Sequence, residues 1–372
     1  MTTYAPAPPA TGVTFTQELF AALPRADQRR WASIYLRGLL TTPGKKSLRR
    51  IAATVGTSPT ASQSMHQFIN ASPWDWEPVR DDLARWTARH LEPQAYVIDT
   101  VYIPKRGDHT CGVHTRFIPH LGRSMTCQVG LGLFLATGQE ALPVDWRLHL
   151  PQRWLTGSDR LRTRIKGQDR PQSLDEQALD LVAAWEHRPE ARPLPVVADL
   201  SAQGDSLRLL SGLARRGQPV VAAIPPHLRL ITAQGLESDA RAVTAGSEQS
   251  TAFTAGTSMA QVALSAPVRI AAAAPAGSAG CYRVFVTRHG PHRTPRWWLT
   301  SLTDARVDRL MALAGLLDTS ARAIADMQNR FGLADFEGRS FPGWHHHMTI
   351  MSAAYAWHRL HDTLPAPEMA LL

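Results

Sequence analysis

Two aspartates stand where carboxylates are uncommon. Asp99 lies inside AYVIDTVYI (residues 95–103), and Asp199 follows the apolar run of PLPVVADLSAQGD (193–205). Both stretches predict buried strands, rich in apolar and β-branched residues and bounded by turn formers. A carboxylate without a partner in such surroundings is costly, so a pair of them points to a use. Clustered carboxylates suit hard divalent cations. Two such ions roughly 3.5–4 Å apart serve phosphoryl transfer on DNA, one activating the attacking oxygen and the other stabilising the leaving oxygen. Plainer readings stay open beside this one. Asp99 could pair with Lys105 or Arg106, and Asp199 could simply form the turn before Ser201.

Other chemistry-bearing residues point mostly to structure. His345, His346 and His347 are consecutive. Neighbouring helical side chains project about 100° apart, so the three cannot share one ion, and no HExxH pattern accompanies them. Trp74 and Trp76 read as core anchors before stacking platforms, and Trp297-Trp298 as strand packing. Glu337 and Arg339 suggest an ion pair holding the last helix. Cys111, Cys127 and Cys281 are far apart with no CxxC, which supports neither a disulfide framework nor a zinc ribbon. No Walker or dinucleotide loop occurs.

The chain has 372 residues, 40 of them Lys or Arg against 31 Asp or Glu, and a net charge of +9. A hydrophobic fraction of 44% excludes a disordered chain. No run approaches the ~20 apolar residues that span a bilayer, and the N-terminus has no secretory pattern; the expectation is a reducing, cytoplasmic setting without a membrane partner. Lysine occurs only at 45, 46, 105 and 166, so arginine carries the charge. Its distribution is uneven. Residues 21–50 hold Arg25, Arg29, Arg30, Arg37, Lys45, Lys46, Arg49 and Arg50 against Asp27 alone. Residues 151–170 hold Arg153, Arg160, Arg162, Arg164, Lys166 and Arg170 against two acids. Such local excess suits a phosphate backbone. Arg29, Arg30, Arg37, Lys45, Lys46, Arg49, Arg50, Arg160, Arg162, Arg164 and Lys166 are the candidate contacts to double-stranded DNA.

The elements that must position these residues follow from periodicity. Residues 1–13, rich in Pro, Ala and Thr, predict a disordered tail. Residues 14–90 repeat apolar positions at three- and four-residue spacing and form an all-helical module. Within it SLRRIAATVG followed by TSPTASQSMHQFIN is compatible with a helix-turn-helix. From 91 to 225 the texture is α/β: strands at 95–103, 114–119 and 125–136 as an antiparallel meander, a helix at 174–188, a strand to Asp199, a helix at 206–216 and a strand at 218–224. Residues 226–280 are Ala/Ser/Thr/Gly-rich and predict an insertion. Strands at 281–287 and 295–300, then helices at 303–316, 319–331 and 341–361, complete the core to 362. This order matches a ribonuclease H-like α/β fold, a mixed sheet flanked by helices, with a helical N-terminal module and an inserted segment.

The chain resembles the DDE-superfamily transposases of bacterial insertion sequences, of the insertion-sequence 701 type. The stretches that carry the likeness include FINASPWDWEPVR (68–80), VIDTVYIPKRG (97–107), GVHTRFIPHLGRSMTCQVGLGLFLA (112–136), LPVDWRLHLPQRW (142–154), VVADLSAQGD (196–205) and FGLADFEGRSFPGWHHHMTIMSAAYAW (331–357). The resemblance implies metal-dependent cleavage and transfer of DNA strands, Mg²⁺ or Mn²⁺ at Asp99 and Asp199, and, as members usually act in pairs or larger assemblies, a homodimer. It also marks departures. The family usually reads Ile-Asp-Asp-Thr where this chain has Ile98-Asp99-Thr100-Val101. The family's third acid, a Glu about ten residues before Gly332-Leu333, falls on Ala321 and Arg322. Asp318 and Asp326, a helical turn to either side, are the substitutes at hand. Should Arg322 face the two aspartates, a salt bridge would take the metal's place. A second expectation therefore stands beside the first: a transposase-derived protein without strand cleavage, kept as a DNA-binding regulator or turned to small-molecule chemistry.

Overall fold

The computed structural model describes residues 12–56, 60–118, 121–167, 170–202, 205–245, 249–255, 258–270, 281–289 and 294–361. Of the expected tail, residues 1–11 lie outside the described residues, and α1 already begins at Gly12.

Five helices open the chain: α1 (Gly12–Leu19), α2 (Ala26–Thr41), α3 (Leu48–Val55), α4 (Ala61–Asn70) and α5 (Glu77–His90). Their boundaries have local causes. The Ser47 hydroxyl accepts the Arg50 N–H at the start of α3, and Gly56 ends it at φ +63°, the left-handed conformation that glycine tolerates. Pro78 sits in the first turn of α5, where its missing N–H has no helical partner to lose. Gly38 lets α2 and α3 close up, since a Cβ there would stand 2.2 Å from Ile51 Cγ2.

The sheet begins with β1 (Ala95–Pro104), β2 (His114–Ile118), β3 (Arg123–Ala136) and β4 (Ala141–Leu148). It continues through α6 (Gly157–Thr163), α7 (Leu174–Glu186), β5 (Val196–Ala198), α8 (Ser206–Arg215) and β6 (Val220–Ile224). The expected meander is corrected in one respect. β2 does not lie between β1 and β3. β1 runs antiparallel to β3 from Ala95↔Ala136 to Pro104↔Cys127. The other edge of β3 is shared, β2 taking Arg123–Cys127 and β4 taking Gly130–Ala136. At fourteen residues β3 is long enough for two partners, and the turn at Gly122 (φ +62°) folds β2 back as a hairpin on its outer end. β5 is parallel to β1, and β6 is parallel to β5 through the α8 crossover.

The described residues of the 226–280 stretch join the sheet. They contribute β7 (Arg229–Ile231), β8 (Glu237–Asp239), α9 (Ala240–Ala245), β9 (Gln249–Ala255) and β10 (Ser258–Ile270). With β11 (Tyr282–His289) and β12 (Arg296–Thr300) these extend the sheet in the order β2-β3-β1-β5-β6-β12-β11-β10-β7-β8, with β9 also on β10. The helices expected at 303–316 and 319–331 are one continuous α10 (Val307–Arg330), because nothing between them breaks a helix, and α11 (Phe341–His361) follows.

The two faces are covered by different helices. Tyr96, odd-even opposite to Asp99 on β1, meets Trp185 of α7 at 5.4 Å between rings, and α8 packs on α7 where Gly212 abuts Leu179. The face carrying Asp99 is covered by α10, through Ser320, and by α11, whose Trp344 packs over Gly130. The fold is thus a mixed sheet flanked by helices, with a strand order that fits the ribonuclease H-like expectation.

Candidate carboxylate site

The parallel pairing of β1 and β5 ends at Ile98↔Ala198. One residue further on come Asp99 and Asp199, brought together from positions 100 apart in sequence at the carboxyl end of β5. Both line one open cleft of about 670 Å³. The convergence expected from the sequence is therefore what the backbone register delivers.

Asp99 is held by two donors. Ser320 Oγ on α10 donates to Oδ2 at 2.7 Å, and the Thr100 N–H donates to Oδ1 at 2.7 Å. Burial raises its pKa to about 6, the Asp199 charge adds to the rise, and the two hydrogen bonds and Arg296 oppose it. Asp199 is anchored through Oδ1, which accepts from the Ser201 hydroxyl at 2.6 Å and from the Ser201 N–H at 3.2 Å. Its Oδ2 lies 3.5 Å from Arg296 Nε on β12. Arg123, at the start of β3, also lines the cleft.

The third wall is α10. Leu317, Asp318, Ala321, Ile324 and Gln328 face the cleft at helical spacing. Of Ala321 and Arg322, the two positions on which the expected third acid falls, Ala321 faces the cleft and carries a methyl group. Asp318 lines the cleft one turn earlier. Asp326 does not. It pairs with Arg330 at 3.4 Å, one turn along the same helix, which removes it from the candidate ligands. Arg322 is also corrected: it is exposed and donates to Thr319 Oγ1 at 2.9 Å on its own helix. The cation beside the aspartates is Arg296, which sequence reasoning passed over because its neighbours Trp297 and Trp298 marked the strand as core. Ser320 likewise gives no signal in sequence, since a lone helical serine looks like any other.

These residues do not fit a two-cation centre. Among the described residues no group of three or more His, Cys, Asp or Glu side chains is placed to hold a metal ion. One oxygen of Asp99 is taken by Ser320, and a guanidinium already sits beside Asp199. What the arrangement offers as it stands is a cleft with a carboxyl group that exchanges its proton near neutrality and two guanidinium groups suited to a phosphate.

The candidate DNA contacts differ in exposure and in their partners. Arg29, Arg30, Lys45, Arg49 and Arg50 are exposed; Lys45 pairs with Glu337 at 3.0 Å. Arg37 is half-buried beside the Val55 carbonyl. Lys46 is a correction. It is buried, its Nζ donates to the Thr42 carbonyl, and its backbone N–H donates to Asp335 at 2.7 Å. It serves the core and no phosphate reaches it. In the second basic segment Arg162 pairs with Asp159 and Lys166 is exposed. Arg160 caps the Leu155 carbonyl, while Arg164 reaches the Ala71 carbonyl at 3.5 Å, just past α4. Arg25, just before α2, reaches the neighbouring Ser72 hydroxyl at 3.2 Å, so the two basic segments meet just past α4.

The three histidines divide their work as their angular spacing requires. His345 Nδ1 accepts from Arg80 on α5 at 3.0 Å, and Arg80 is locked to Asp145 on β4 at 2.8 Å. His346 sits between the Ile69 and Trp74 carbonyls and stacks on Trp74 at 3.8 Å. His347 joins the Tyr35 hydroxyl on α2 and the Gly332 carbonyl. They form the seam between the helical module and the core.

A family model described as DDE superfamily endonuclease matches residues 18–273. The chain belongs to that family. A probable transposase for insertion sequence element IS701 from Microchaete diplosiphon is 26% identical over 129 residues, 34% of this chain and 33% of that relative. Among solved structures, a piggyBac transposase synaptic complex with hairpin DNA aligns over 96% of this chain and 79% of that chain at 11% identity, with a TM-score of 0.41. No helix among the described residues of this DDE-family chain is long and apolar enough to cross a membrane.

Proposed function

We propose that this DDE-family protein binds double-stranded DNA and that its carboxylate centre does not cut it. The observation that supports the reading is Ala321, a methyl group on the cleft wall shared with Asp99 and Asp199, at one of the two positions where the resemblance implies a third carboxylate. Arg296 and Ser320 already occupy oxygens of Asp199 and Asp99 that two ions would need. DNA binding is supported by the exposed arginines that meet near α4 and by the family to which the chain belongs.

A second reading has its own observation. Asp318 lines the same cleft one turn from Ala321, and a shift of that side chain would complete three acids. One assay separates the two. Supercoiled DNA is incubated with the full chain and its Ala321→Glu, Asp199→Ala and Asp318→Ala variants in Mg²⁺ or Mn²⁺. The expected result is no nicking by the unaltered chain and metal-dependent nicking gained by Ala321→Glu. Nicking by the unaltered chain, lost in both Asp199→Ala and Asp318→Ala, establishes the second reading and overturns the first. Binding itself is followed against salt, where contacts to several phosphates give a steep fall in affinity. A chain that binds no duplex even at low salt does not fit either reading.

A further inference from the structure

The carboxylate cleft does not fit a pair of cations, yet it is roomy and not all of its charges have partners. A second hollow of about 640 Å³ adjoins it. The two share Asp199, Ser201, Ala202, Arg296 and Asp318, so they form one groove past the carboxyl ends of β5 and β6. Open α/β sheets gather small ligands at the carboxyl ends of their strands, and volumes of this order suit such ligands.

The groove holds charges of both signs. Asp99 and Asp199 are engaged by Ser320, Thr100, Ser201 and Arg296. Asp318 differs from them. It is half-buried, lines both hollows, and its carboxylate has no ion pair among the described residues. Arg296, the arginine common to both hollows, turns Nε toward Asp199 at 3.5 Å, lies over the Trp298 ring at 5.7 Å and is 45% exposed. A guanidinium carries five N–H donors in a planar fork, so the part not facing Asp199 is left for a ligand. The wall beside these charges is apolar. Leu317, Ala321 and Ile324 stand at i, i+4 and i+7 on α10, and Leu121 and Met125 come from the β2–β3 hairpin. Leu121 is 45% exposed, an apolar surface that the fold leaves uncovered.

A phosphate matches only part of this groove. The guanidinium groups attract it, whereas the unpaired Asp318 repels it. An ammonium group beside the anionic head turns that repulsion into attraction. An α-amino acid carries both charges on one carbon, close enough to be met from the short stretch where Arg296 and Asp318 line both hollows, and an apolar side chain would cover the α10 wall. We propose that the groove binds a free amino acid with an apolar side chain, its carboxylate on Arg296, its ammonium on Asp318 and its side chain against Leu317, Ala321 and Ile324. The inference rests on the reading that this centre does not cut DNA, and it names what the centre takes instead. Ala321 then has a use of its own, since a longer acid there would put charge into the apolar wall.

The test is isothermal titration calorimetry on the full chain in buffer with a chelator. The probes are leucine, phenylalanine, glycine, 3-phenylpropionate and phenethylamine. Glycine keeps both charges without the apolar side chain, 3-phenylpropionate lacks the ammonium and phenethylamine lacks the carboxylate. Phenylalanine or leucine is expected to bind about tenfold tighter, or more, than each of these three. Asp318→Asn should bring phenylalanine to the level of 3-phenylpropionate, and Arg296→Gln should bring it to the level of phenethylamine. Each comparison sets two ligands against one protein, so a general loss of fold cannot mimic it. Equal affinity for phenylalanine and its truncated forms overturns the inference. So does selectivity that Asp318→Asn leaves unchanged, or no binding of either amino acid at about 10 mM. None of these outcomes touches DNA binding. Nicking by the unaltered chain in Mg²⁺ overturns the underlying reading separately, because the titrations contain no free metal.

Discussion

Asp99 has the most unusual environment of the residues around the cleft, and its protonation reports that environment. Burial lifts its pKa from the ordinary carboxylate range to about 6, with Ser320 and the Thr100 N–H working against the rise. The folded state therefore binds a proton more tightly than the unfolded chain does. This favourable linkage is full below pH 4 and is lost as the pH rises through 6. Above neutrality the ionised carboxylate costs the fold about 2 kcal/mol, allowing for its partial exposure. Asp99→Asn keeps the shape and can still hydrogen bond to Thr100 and Ser320. It is expected to unfold at higher urea than the unaltered chain at pH 8, with the gap closing toward pH 4.5. An equal gap at both pH values would show that the carboxylate is not under this strain. A site residue that destabilises its own fold is typical of positions kept for chemistry or descended from it.

At the scale of elements, the glycines of β3 show how closely the sheet is fitted around the site. Gly132 lies directly across from Asp99. A Cβ there would stand 2.7 Å from Phe134 Cε2 and 2.8 Å from Trp146 Cζ3. Gly132→Ala is therefore expected to lower the unfolding free energy by about 1–3 kcal/mol, measured by urea denaturation; a change below about 0.5 kcal/mol would mean that the two rings have room to move. Much of this layer was legible in the sequence, and the exceptions have physical reasons. Asp99 and Asp199 could be found because each is a single charge in an apolar strand, and parallel strands must align their ends. β4 was not recognised as a strand because Pro143, Asp145 and Arg147 make it look polar. It is buried all the same, because Asp145 is surrounded by Arg80, Arg147 and Arg188. The pairing of β2 could not be read either, since periodicity assigns strands but not their neighbours. Arg296 escaped notice for a related reason. Its importance comes from β12 lying next to β6 across the sheet, a contact between residues about seventy positions apart.

The whole molecule depends on how the helical module is fixed to the core, and that seam is built to hold neutral histidines. His347 shows the logic most clearly. Its Nε2–H donates to the Gly332 carbonyl at 3.0 Å, and its Nδ1 accepts from the Tyr35 hydroxyl at 2.9 Å, an arrangement that only the neutral ring satisfies. Burial and the nearby Lys105 charge hold its pKa down to about 4. His345 is pushed well below its ordinary value by burial and by Arg80, whose N–H needs the Nδ1 lone pair. His346 faces two carbonyls, which would favour a charged ring, but burial is the larger effect and holds it at about 4. In the unfolded chain all three titrate near 6.5. Between pH 6.5 and 4 the unfolded state therefore binds more protons, and stability falls as the pH drops through that window. For His347 alone the loss is on the order of 3 kcal/mol at the acid end. His347→Gln, with an amide that can donate to Gly332 and accept from Tyr35, should be less stable at pH 7.5 yet lose less between pH 6.5 and 4.5. The measurement is urea unfolding followed at both pH values by tryptophan fluorescence, for which Trp74, stacked on His346, is a local reporter. Parallel pH dependences for the two proteins would show that the seam does not rely on this proton. Convergent ones would show that the attachment of the helical module to the carboxylate-bearing core is itself sensitive to acid.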